Sequence, residues 1–343
     1  MTVRRAWSTL SLLVALAAAG LIGCDDGGGE PDGNPDGDAD TDVDSDSDGD
    51  VDGDTDSDSD GDADGDTDSD SDGDSGPDEL CYEHLLLEGP NGGSQQTASV
   101  VLDVDGDGTD DFVVTERTQA PSVVWYRRQG DGFDQYVIDG GQLRIEAGGS
   151  VADIDGDGDL DISFAGDSGS NEVWWWENPA PAFDPAVPWT RRLIKDSGAN
   201  KHHDQLFGDF DGDGALELVF WNQRASALLF AEIPADPRGT EPWPTTEIYS
   251  WSGEEHEGLP AADVNADGVV DIVGGGRWFE HTAGGAFEAH VVDDAMRFGR
   301  AGAGQLVPGG HAELVFGPGD NVGPLRWNSW TGEGWEGHDL LGH

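Results

Sequence analysis

Basic residues and cysteines are scarce in this 343-residue sequence, and the shortage of basic residues excludes one class of partner. The chain has 16 Lys and Arg against 72 Asp and Glu, which gives a formal net charge of −56. Because this charge repels phosphate backbones and anionic headgroups, we predict that the chain does not bind nucleic acid. The same charge destabilises a compact fold unless cations lie among the carboxylates. The composition therefore suggests bound metal.

Catalytic and cofactor fingerprints are also missing from the sequence. It contains no GxSxG, HExxH, phosphate-loop or dinucleotide-binding motif. Only two cysteines are present, Cys24 and Cys81, and no motif around Cys81 suggests a nucleophile. We interpret Cys81 as a small buried apolar side chain. The sequence therefore predicts no catalytic residue and no organic cofactor.

The N-terminus has the pattern of an export signal. Arg4 and Arg5 precede an apolar run that is too short and too weakly apolar for a permanent membrane helix. The run ends in Leu21-Ile22-Gly23-Cys24, which resembles the bacterial lipobox, where the cysteine becomes acylated. This resemblance implies a signal peptide over residues 1–23 and a lipid anchor on Cys24, in the outer membrane or on the cell surface. The alternative is an ordinary secretory signal with a chance cysteine.

Residues 24–78 have the composition of a disordered tether. From residue 25 to residue 78 there are 25 acidic residues, no Lys or Arg and no aromatic residue, so nothing can form a core. Like-charge repulsion extends such a linker and holds the following domain away from the membrane. The alternative is ordered calcium binding by the DxDxDGD strings, as in thrombospondin type 3 repeats, although the bulky spacers and cysteines of those repeats are absent.

Residues 79–343 contain five copies of one pattern. Four acidic segments of the form DxDxDGxx[DE] begin at residues 103, 153, 209 and 263, and a degenerate copy, QLVPGGHAE, begins at residue 305. A Gly- and Ala-rich segment precedes each copy, and apolar, aromatic-rich and final strand-like segments follow it. Helical periodicity is missing. The repeats predict an all-β fold, a β-propeller of five four-stranded blades, with six or seven blades as alternatives.

The order of these parts resembles FG-GAP/VCBS repeats, the family that includes the integrin α-chain head. The resemblance implies that calcium is structural and pins the hairpin between the two inner strands of a blade. Three features depart from the family pattern. They are the degenerate fifth loop, the presence of Asn265 and Ala266 in the fourth loop, and the count of five blades. A strand-like segment, Cys81–Leu87, precedes the first repeat. It is either a strand that closes the ring or a remnant of a sixth blade.

The acidic loops have the spacing of calcium sites. Side chains at positions 1, 3 and 5 turn inward, glycine at position 6 permits the turn, and the carbonyl at position 7 and the acid at position 9 complete an oxygen shell. An EF-hand is excluded because Val114, Phe164, Phe220 and Gly274 occupy position 12. Magnesium fits less well because it demands strict octahedral geometry. Solvated acidic turns without metal are the alternative.

We therefore predict about four calcium ions, with one set of ligands for each acidic loop. The predicted ligands are Asp103, Asp105, Asp107, Thr109 and Asp111 in the first loop and Asp153, Asp155, Asp157, Asp159 and Asp161 in the second. They are Asp209, Asp211, Asp213, Ala215 and Glu217 in the third loop, and Asp263, Asn265, Asp267, Val269 and Asp271 in the fourth.

Histidines and tryptophans are the remaining candidates for a ligand face. Equivalent positions of different blades approach each other near the axis, so His202 or His203 and His256 could share a site on one propeller face. The alternative is that they line a water-filled channel. Aromatic side chains recur at one place in each repeat, at residues 125, 175, 230, 278 and 327, which favours packing between blades over stacking on sugars.

Three functions fit these observations. The first is a surface-displayed binding or adhesion module for a protein or polysaccharide, attached to the membrane only through its lipid. The second is a carbohydrate-active enzyme of the lyase or hydrolase type, because related repeats occur in such proteins. The third is a scaffold subunit of an envelope complex. The lack of catalytic motifs favours the first.

Overall fold

The computed structural model describes residues 93–296, 299–319 and 322–340. All regular structure among these residues is β-strand, arranged in five four-stranded antiparallel sheets. The predicted signal peptide, the tether and the segment Cys81–Leu87 lie outside the described residues. None of the described residues belongs to a helix with the length and apolarity needed to cross a membrane.

Each sequence repeat forms one sheet whose four strands follow in chain order. The first sheet contains β1 (Gln96–Leu102), β2 (Asp111–Glu116), β3 (Val123–Gln129) and β4 (Gly132–Asp139). The second contains β5 (Ile145–Ala152), β6 (Asp161–Gly166), β7 (Val173–Glu177) and β8 (Thr190–Lys195). The third contains β9 (His202–Gly208), β10 (Glu217–Asn222), β11 (Ala227–Glu232) and β12 (Thr246–Ser250).

The fourth sheet contains β13 (Ala261–Ala262), β14 (Asp271–Gly274), β15 (Arg277–Ala283) and β16 (Ala286–Val291). The fifth contains β17 (Ala301–Gly304), β18 (Glu313–Phe316), β19 (Arg326–Trp330) and β20 (Trp335–Asp339). Five sequential four-stranded sheets are consistent with propeller blades, so the predicted all-β fold class and the predicted strand number per repeat are confirmed.

Aromatic and aliphatic side chains fill the spaces between successive sheets. Four buried clusters join the first sheet to the second, the second to the third, the third to the fourth and the fourth to the fifth. Strand β7 serves two of them, because Trp174 and Trp176 face the first sheet and Trp175 faces the third. Four of the five recurrent aromatic side chains are buried in these clusters, which confirms their predicted packing role; they are Trp125, Trp175, Phe230 and Trp278.

No such cluster joins the fifth sheet to the first among the described residues. Phe112 and Val114 lie on the face of β2 that turns away from the second sheet and are half-buried. Val101 pairs with Phe112 across β1 and β2, and it is 49% exposed. The segment proposed from sequence to close the ring is outside the described residues, so its role stays a prediction.

The sheets have two chemically different ends. Loops 103–110, 153–160, 209–216, 263–270 and 305–312 each join the first and second strands of a sheet, and we call their end the acidic end. Neighbouring loops touch there: His311 contacts the carbonyl of Val264 at 2.8 Å, and Asn178 donates to that of Val104 at 2.9 Å. The opposite end, here the connection end, carries the loops between second and third strands and the chain segments that link one sheet to the next.

Candidate metal centres and candidate ligand face

The four acidic loops share one backbone conformation. In each, the N–H of the glycine at position 6 donates to the carboxylate at position 1, over 2.8 to 3.2 Å. These glycines have φ between 88° and 102°, as the predicted turn requires. Position 4 is also left-handed, a feature that the sequence analysis missed. Gly106, Gly156 and Gly212 occupy it in three loops, whereas Ala266 occupies it in the fourth with φ 63°.

Most of the predicted carboxylates converge. In the third loop, Asp209, Asp211, Asp213 and Glu217 bring oxygen atoms within 4.8 Å of one another. The acids at positions 1, 3 and 5 of the first and second loops do the same. In the fourth loop, Asn265 interacts internally, because its Nδ2 donates to Asp267 Oδ2 at 3.0 Å and its Oδ1 accepts the Asp267 N–H.

Buried oxygen atoms without hydrogen-bond partners show that these residues fit a hard cation. In the second loop they are Oδ1 of Asp153, Asp155 and Asp159, and in the third loop Glu217 Oε1. Leaving a carboxylate oxygen buried and unpaired is costly, whereas Ca²⁺ binds six to eight such oxygens. Asp159 therefore offers its side chain as well as the predicted carbonyl. Burial and the like charge of Asp157 raise its pKa to about 6.

The acids at position 9 hold the backbone together. Asp161 accepts the N–H groups of Ile154 at 3.0 Å and Asn178 at 2.8 Å, so it ties the loop to the residue that follows β7. Glu217 and Asp271 likewise accept the N–H of the residue at position 2 of their own loops, which is Phe210 in the third loop and Val264 in the fourth. Burial raises the pKa of Asp161 to about 8 and that of Glu217 and Asp271 to about 7. Only in the third loop does the acid at position 9 also join the cluster.

The residues at position 7 make the same backbone contact in all four acidic loops. Their backbone N–H groups donate to the carboxylate at position 5, over 2.8 to 3.4 Å. This contact turns the chain at the predicted carbonyl ligands, which are Thr109, Asp159, Ala215 and Val269.

In the fifth loop an amide side chain stands at position 1, where the other four loops have a carboxylate. Gln305 stands at position 1, and its Nε2 donates to the carbonyls of Val307 at 2.5 Å and Gly309 at 3.1 Å. Glu313 at position 9 accepts the N–H groups of Leu306 and Val307. The side chain of Gln305 thus meets the loop carbonyls itself.

A further set of charged residues near the loops was not predicted. In the register of the sheets, one residue of the third strand faces position 9 of each loop. It is Arg127, Glu177, Glu232, Glu280 and Ser329 in the five sheets. The available signal for the glutamates was their place two residues after a recurrent aromatic residue, as in Trp175 and Glu177. Arg127 departs from it and contacts Asp105.

The three candidate histidines are buried at the connection end but face different neighbours. His202 contacts the carbonyl of Gly166 at 3.2 Å and packs on Phe220, and burial lowers its pKa to about 3. His203 points to the other face of β9, where its ring nitrogens lie 2.5 Å from Asp204 and 3.4 Å from Glu257. Burial lowers the pKa of His203, but the carboxylates of Asp204 and Glu257 together outweigh it and the net shift is upward.

His256 belongs to an aromatic stack. Its ring lies parallel to that of Trp251 at 4.2 Å and edge-on to Trp221 at 5.3 Å. Its chain neighbour Glu257 contacts His203, so the third and fourth sheets meet here through Glu257 and not through two histidine rings.

Ion pairs between sheets surround His203. Arg117 of the first sheet contacts Glu146 of the second and lies 3.2 Å from Asp167. Arg300, at the start of the fifth sheet, lies 3.3 Å from Glu257 of the fourth. Burial and a hydrogen bond with Asp167 raise the pKa of Glu146 to about 7. The connection end therefore combines opposite charges from all five sheets.

An open cavity of about 420 Å³ lies among the loops of the connection end. Its lining comes from the second and third sheets and consists of Gly169, Asn171, Gly198, Ala199, Asn200 and Arg224. The buried ammonium of Lys195 fixes its wall by donating to the carbonyls of Asn171 and Ala199 at 3.0 Å. The cavity thus offers amide groups, carbonyls and a guanidinium, which suit hydroxyl or amide ligands.

Comparison with known proteins finds a family match over part of the repeat region. An FG-GAP-like repeat model matches residues 103–164 and 153–220. No curated protein matches the chain. The crystal structure of the biofilm matrix protein Bap1 from V. cholerae aligns with a TM-score of 0.42 and 16% identity over 64% of this chain and 34% of that one. The virginiamycin B lyase from Staphylococcus aureus aligns with a TM-score of 0.36 and 15% identity over 72% and 85%.

Proposed function

We propose that this FG-GAP-like repeat protein is a calcium-stabilised binding or adhesion module that recognises a protein or polysaccharide through its connection end. The observation that carries the proposal is the separation of the two ends. The candidate calcium ligands all lie at the acidic end, either in its loops or at the first residue of the strand that follows. The loops of the connection end hold a polar cavity and internally paired charges, so this end can receive a ligand without metal.

The cavity suits polysaccharide hydroxyls or peptide amides. Arg224 lines it with a side chain that is 57% exposed and pairs with Glu255 at 3.5 Å, so its other N–H groups remain accessible. A guanidinium carries five donors in a fixed planar arrangement, which favours recognition of hydroxyl and carboxylate oxygens.

The proposed location is the bacterial cell envelope. It rests on the resemblance of residues 21–24 to a lipobox and on the acidic composition of residues 24–78. A lipid on Cys24 would anchor the chain, and the tether would set its reach. Cys24→Ala is expected to release the protein from the membrane fraction, and retention of the variant in that fraction would contradict the anchor.

The binding proposal is tested on glycan and peptide arrays with the purified protein and two variants. Arg224→Ala is expected to weaken ligand binding by tenfold or more without changing the melting temperature, because this side chain is exposed. Arg191→Ala is the control, since Arg191 is also exposed but pairs with Asp139 on the opposite side of the second sheet. Equal binding by the Arg224 variant and the native protein would reject the cavity as the ligand site.

A carbohydrate-active enzyme is the second candidate, and one observation favours it. Glu146 has a pKa of about 7, in the range of a general acid or base, and the charge of His203 acts on it. The measurement is product formation from acidic and neutral polysaccharides. Glu146→Gln is expected to abolish turnover and retain binding if this candidate holds, and no turnover by the native protein would reject it.

A further inference from the structure

Two arginines contact the acidic loops of the first and second sheets. Arg127 of β3 contacts Asp105, and Arg238 lies in the segment between β11 and β12 and contacts Asp155 at 2.5 Å and Asp157 at 2.9 Å. These acids stand at positions 3 and 5 of their loops. Among the described residues, no Lys or Arg forms a salt bridge with an acid of the third or fourth loop.

Arg238 is held in place by its surroundings. Its Nε donates to Glu177 Oε1 at 3.0 Å, and its carbonyl accepts Nη1 of Arg192 at 3.0 Å. Further along the same segment, Trp243 is buried in the cluster between the second and third sheets, and its backbone N–H donates to the carbonyl of Ile194. The third sheet thus delivers a guanidinium to the loop of the second.

The guanidinium and a divalent cation require the same oxygen atoms. The Asp155 side chain is only 1% exposed, so it has no room to turn toward water when a second cation arrives. Arg238 accounts for one oxygen each of Asp155 and Asp157, and both residues are predicted ligands. Arg127 takes the corresponding oxygen of Asp105 in the first loop.

The third and fourth loops have the opposite surroundings. Glu232 and Glu280 stand where the first sheet has Arg127, so a further carboxylate faces each of these loops. In the second sheet, Glu177 stands at this position, but Arg192 and Arg238 both contact it. Among the residues that the structure describes, Lys and Arg side chains therefore pair with acids of the first two loops and not with those of the third or fourth.

We propose that Arg238 and Arg127 are internal counter-cations that lower the calcium affinity of the second and first loops, so that the loops of one chain differ in affinity. The inference rests on the proposed calcium occupancy of the acidic loops. Calcium entering the second loop displaces the Arg238 guanidinium from Asp155 and Asp157, while Glu177 retains it. The two arginines keep these loops ordered at low calcium, and the third loop depends on calcium for its order.

Calorimetric titration of calcium into the calcium-stripped full-length protein tests the proposal. Arg238→Gln is expected to raise the affinity of one site on the order of tenfold, because it removes a positive charge a few ångströms from a divalent ion. Arg238→Lys retains the charge but loses the planar contact, so its calcium affinity is expected to lie between those of the native protein and Arg238→Gln. Arg326→Gln is the control, because Arg326 bridges Asp293 and Asp339 and contacts no loop acid.

A double variant assigns the change to the second loop. Asp153 belongs to this loop but does not contact Arg238, so Asp153→Asn is expected to remove the calcium site without disturbing the arginine. In that background Arg238→Gln is expected to have no effect on calcium binding. Melting in chelator provides a second readout, and Arg238→Gln is expected to melt below the native protein there and at or above it in saturating calcium.

Two results would overturn the inference. Unchanged or weaker calcium affinity in Arg238→Gln would show that the arginine does not compete with the ion, and the proposed calcium binding would stand. Absence of calcium binding by the native protein would overturn both the inference and the proposed calcium occupancy.

Discussion

The acidic end and the connection end neutralise their charged groups in different ways. At the connection end, Arg117, Lys201 and Arg300 each contact carboxylates of a neighbouring sheet, so the chain supplies both charges. At the acidic end, the third loop gathers four carboxylates, and no described Lys or Arg contacts them. The comparison indicates that the connection end neutralises its carboxylates with side chains of the chain itself, whereas the third loop of the acidic end leaves four carboxylates that could bind an external cation.

Removal of calcium is the largest expected disturbance of this comparison. At a hundredfold excess over its Kd, each bound ion stabilises the folded state by about 2.7 kcal/mol, and 1 kcal/mol shifts the melting temperature of a domain of this size by roughly 2–4 °C. Excess chelator is therefore expected to lower the melting temperature by about 10 °C or more. Calorimetry with and without chelator measures it.

Hydrogen exchange on the same samples locates the loss. Protection is expected to fall first at residues 209–216 and to persist longer at the ion pairs of the connection end. Equal loss at both ends, or an unchanged melting temperature together with no calcium by elemental analysis, would refute the division between the ends.

Acid is expected to act first on the connection end, through His202. Its pKa is about 3 in the folded protein because it is buried, against 6.5 as the ordinary value. The folded state therefore binds fewer protons, and its stability, complete above pH 6.5, is lost as the pH falls toward 3. The expected loss is roughly 1.4 kcal/mol per pH unit.

His202→Asn retains a donor for the carbonyl of Gly166. It is expected to make the free energy of unfolding depend less on pH in the acid range, whatever the absolute stability of the variant. His338→Asn serves as the control, because His338 is a half-exposed residue of β20. Urea melts at several pH values between 4 and 7 measure the slope. A slope equal to that of the native protein would show that His202 does not control acid unfolding.

A matched pair of glutamates sharpens the comparison within the acidic end. Glu217 and Glu313 both stand at position 9 and both accept backbone N–H groups at the start of their loop. Only Glu217 also belongs to a carboxylate cluster. Glu217→Gln is expected to lose about 2–3 kcal/mol of stability in calcium, because the substitution weakens calcium binding to the third loop. The expected loss in chelator is smaller.

Glu313→Gln is expected to cost the same amount with and without calcium, because Gln305 already closes the fifth loop. Denaturant melts of both variants in calcium and in chelator give the four values. A calcium-dependent loss in Glu313→Gln would show that the fifth loop binds an ion.

The repeats made most of the fold predictable. The acidic pattern fixed the places of five hairpins, and the alternation in β7 placed Trp175 on one face and Trp174 on the other. Contacts that cross between repeats were not predictable in the same way. Arg238 lies 81 residues from Asp157 in an irregular segment, and no local pattern relates the two. The amide of Gln305 was equally hidden, because the sequence shows only that an acid is missing.

The smallest expected effect concerns position 4 of the fourth loop. Ala266 has φ 63°, a conformation that costs an L-residue about 1–2 kcal/mol and costs glycine nothing comparable. Ala266→Gly is therefore expected to stabilise the protein by about 1 kcal/mol, after the greater entropy of glycine in the unfolded chain is subtracted. The gain should appear in calcium and in chelator alike, because it arises in the backbone.

Gly156→Ala in the second loop is the reciprocal change. A Cβ at Gly156 would meet no atom within 4 Å, so only its φ of 76° opposes the substitution, and the expected loss is also about 1 kcal/mol. Denaturant melts of both variants measure the two effects. If Ala266→Gly were neutral while Gly156→Ala was destabilising, the fourth loop would have to relax its backbone in solution, and its carboxylates would then no longer share the geometry of the other three loops.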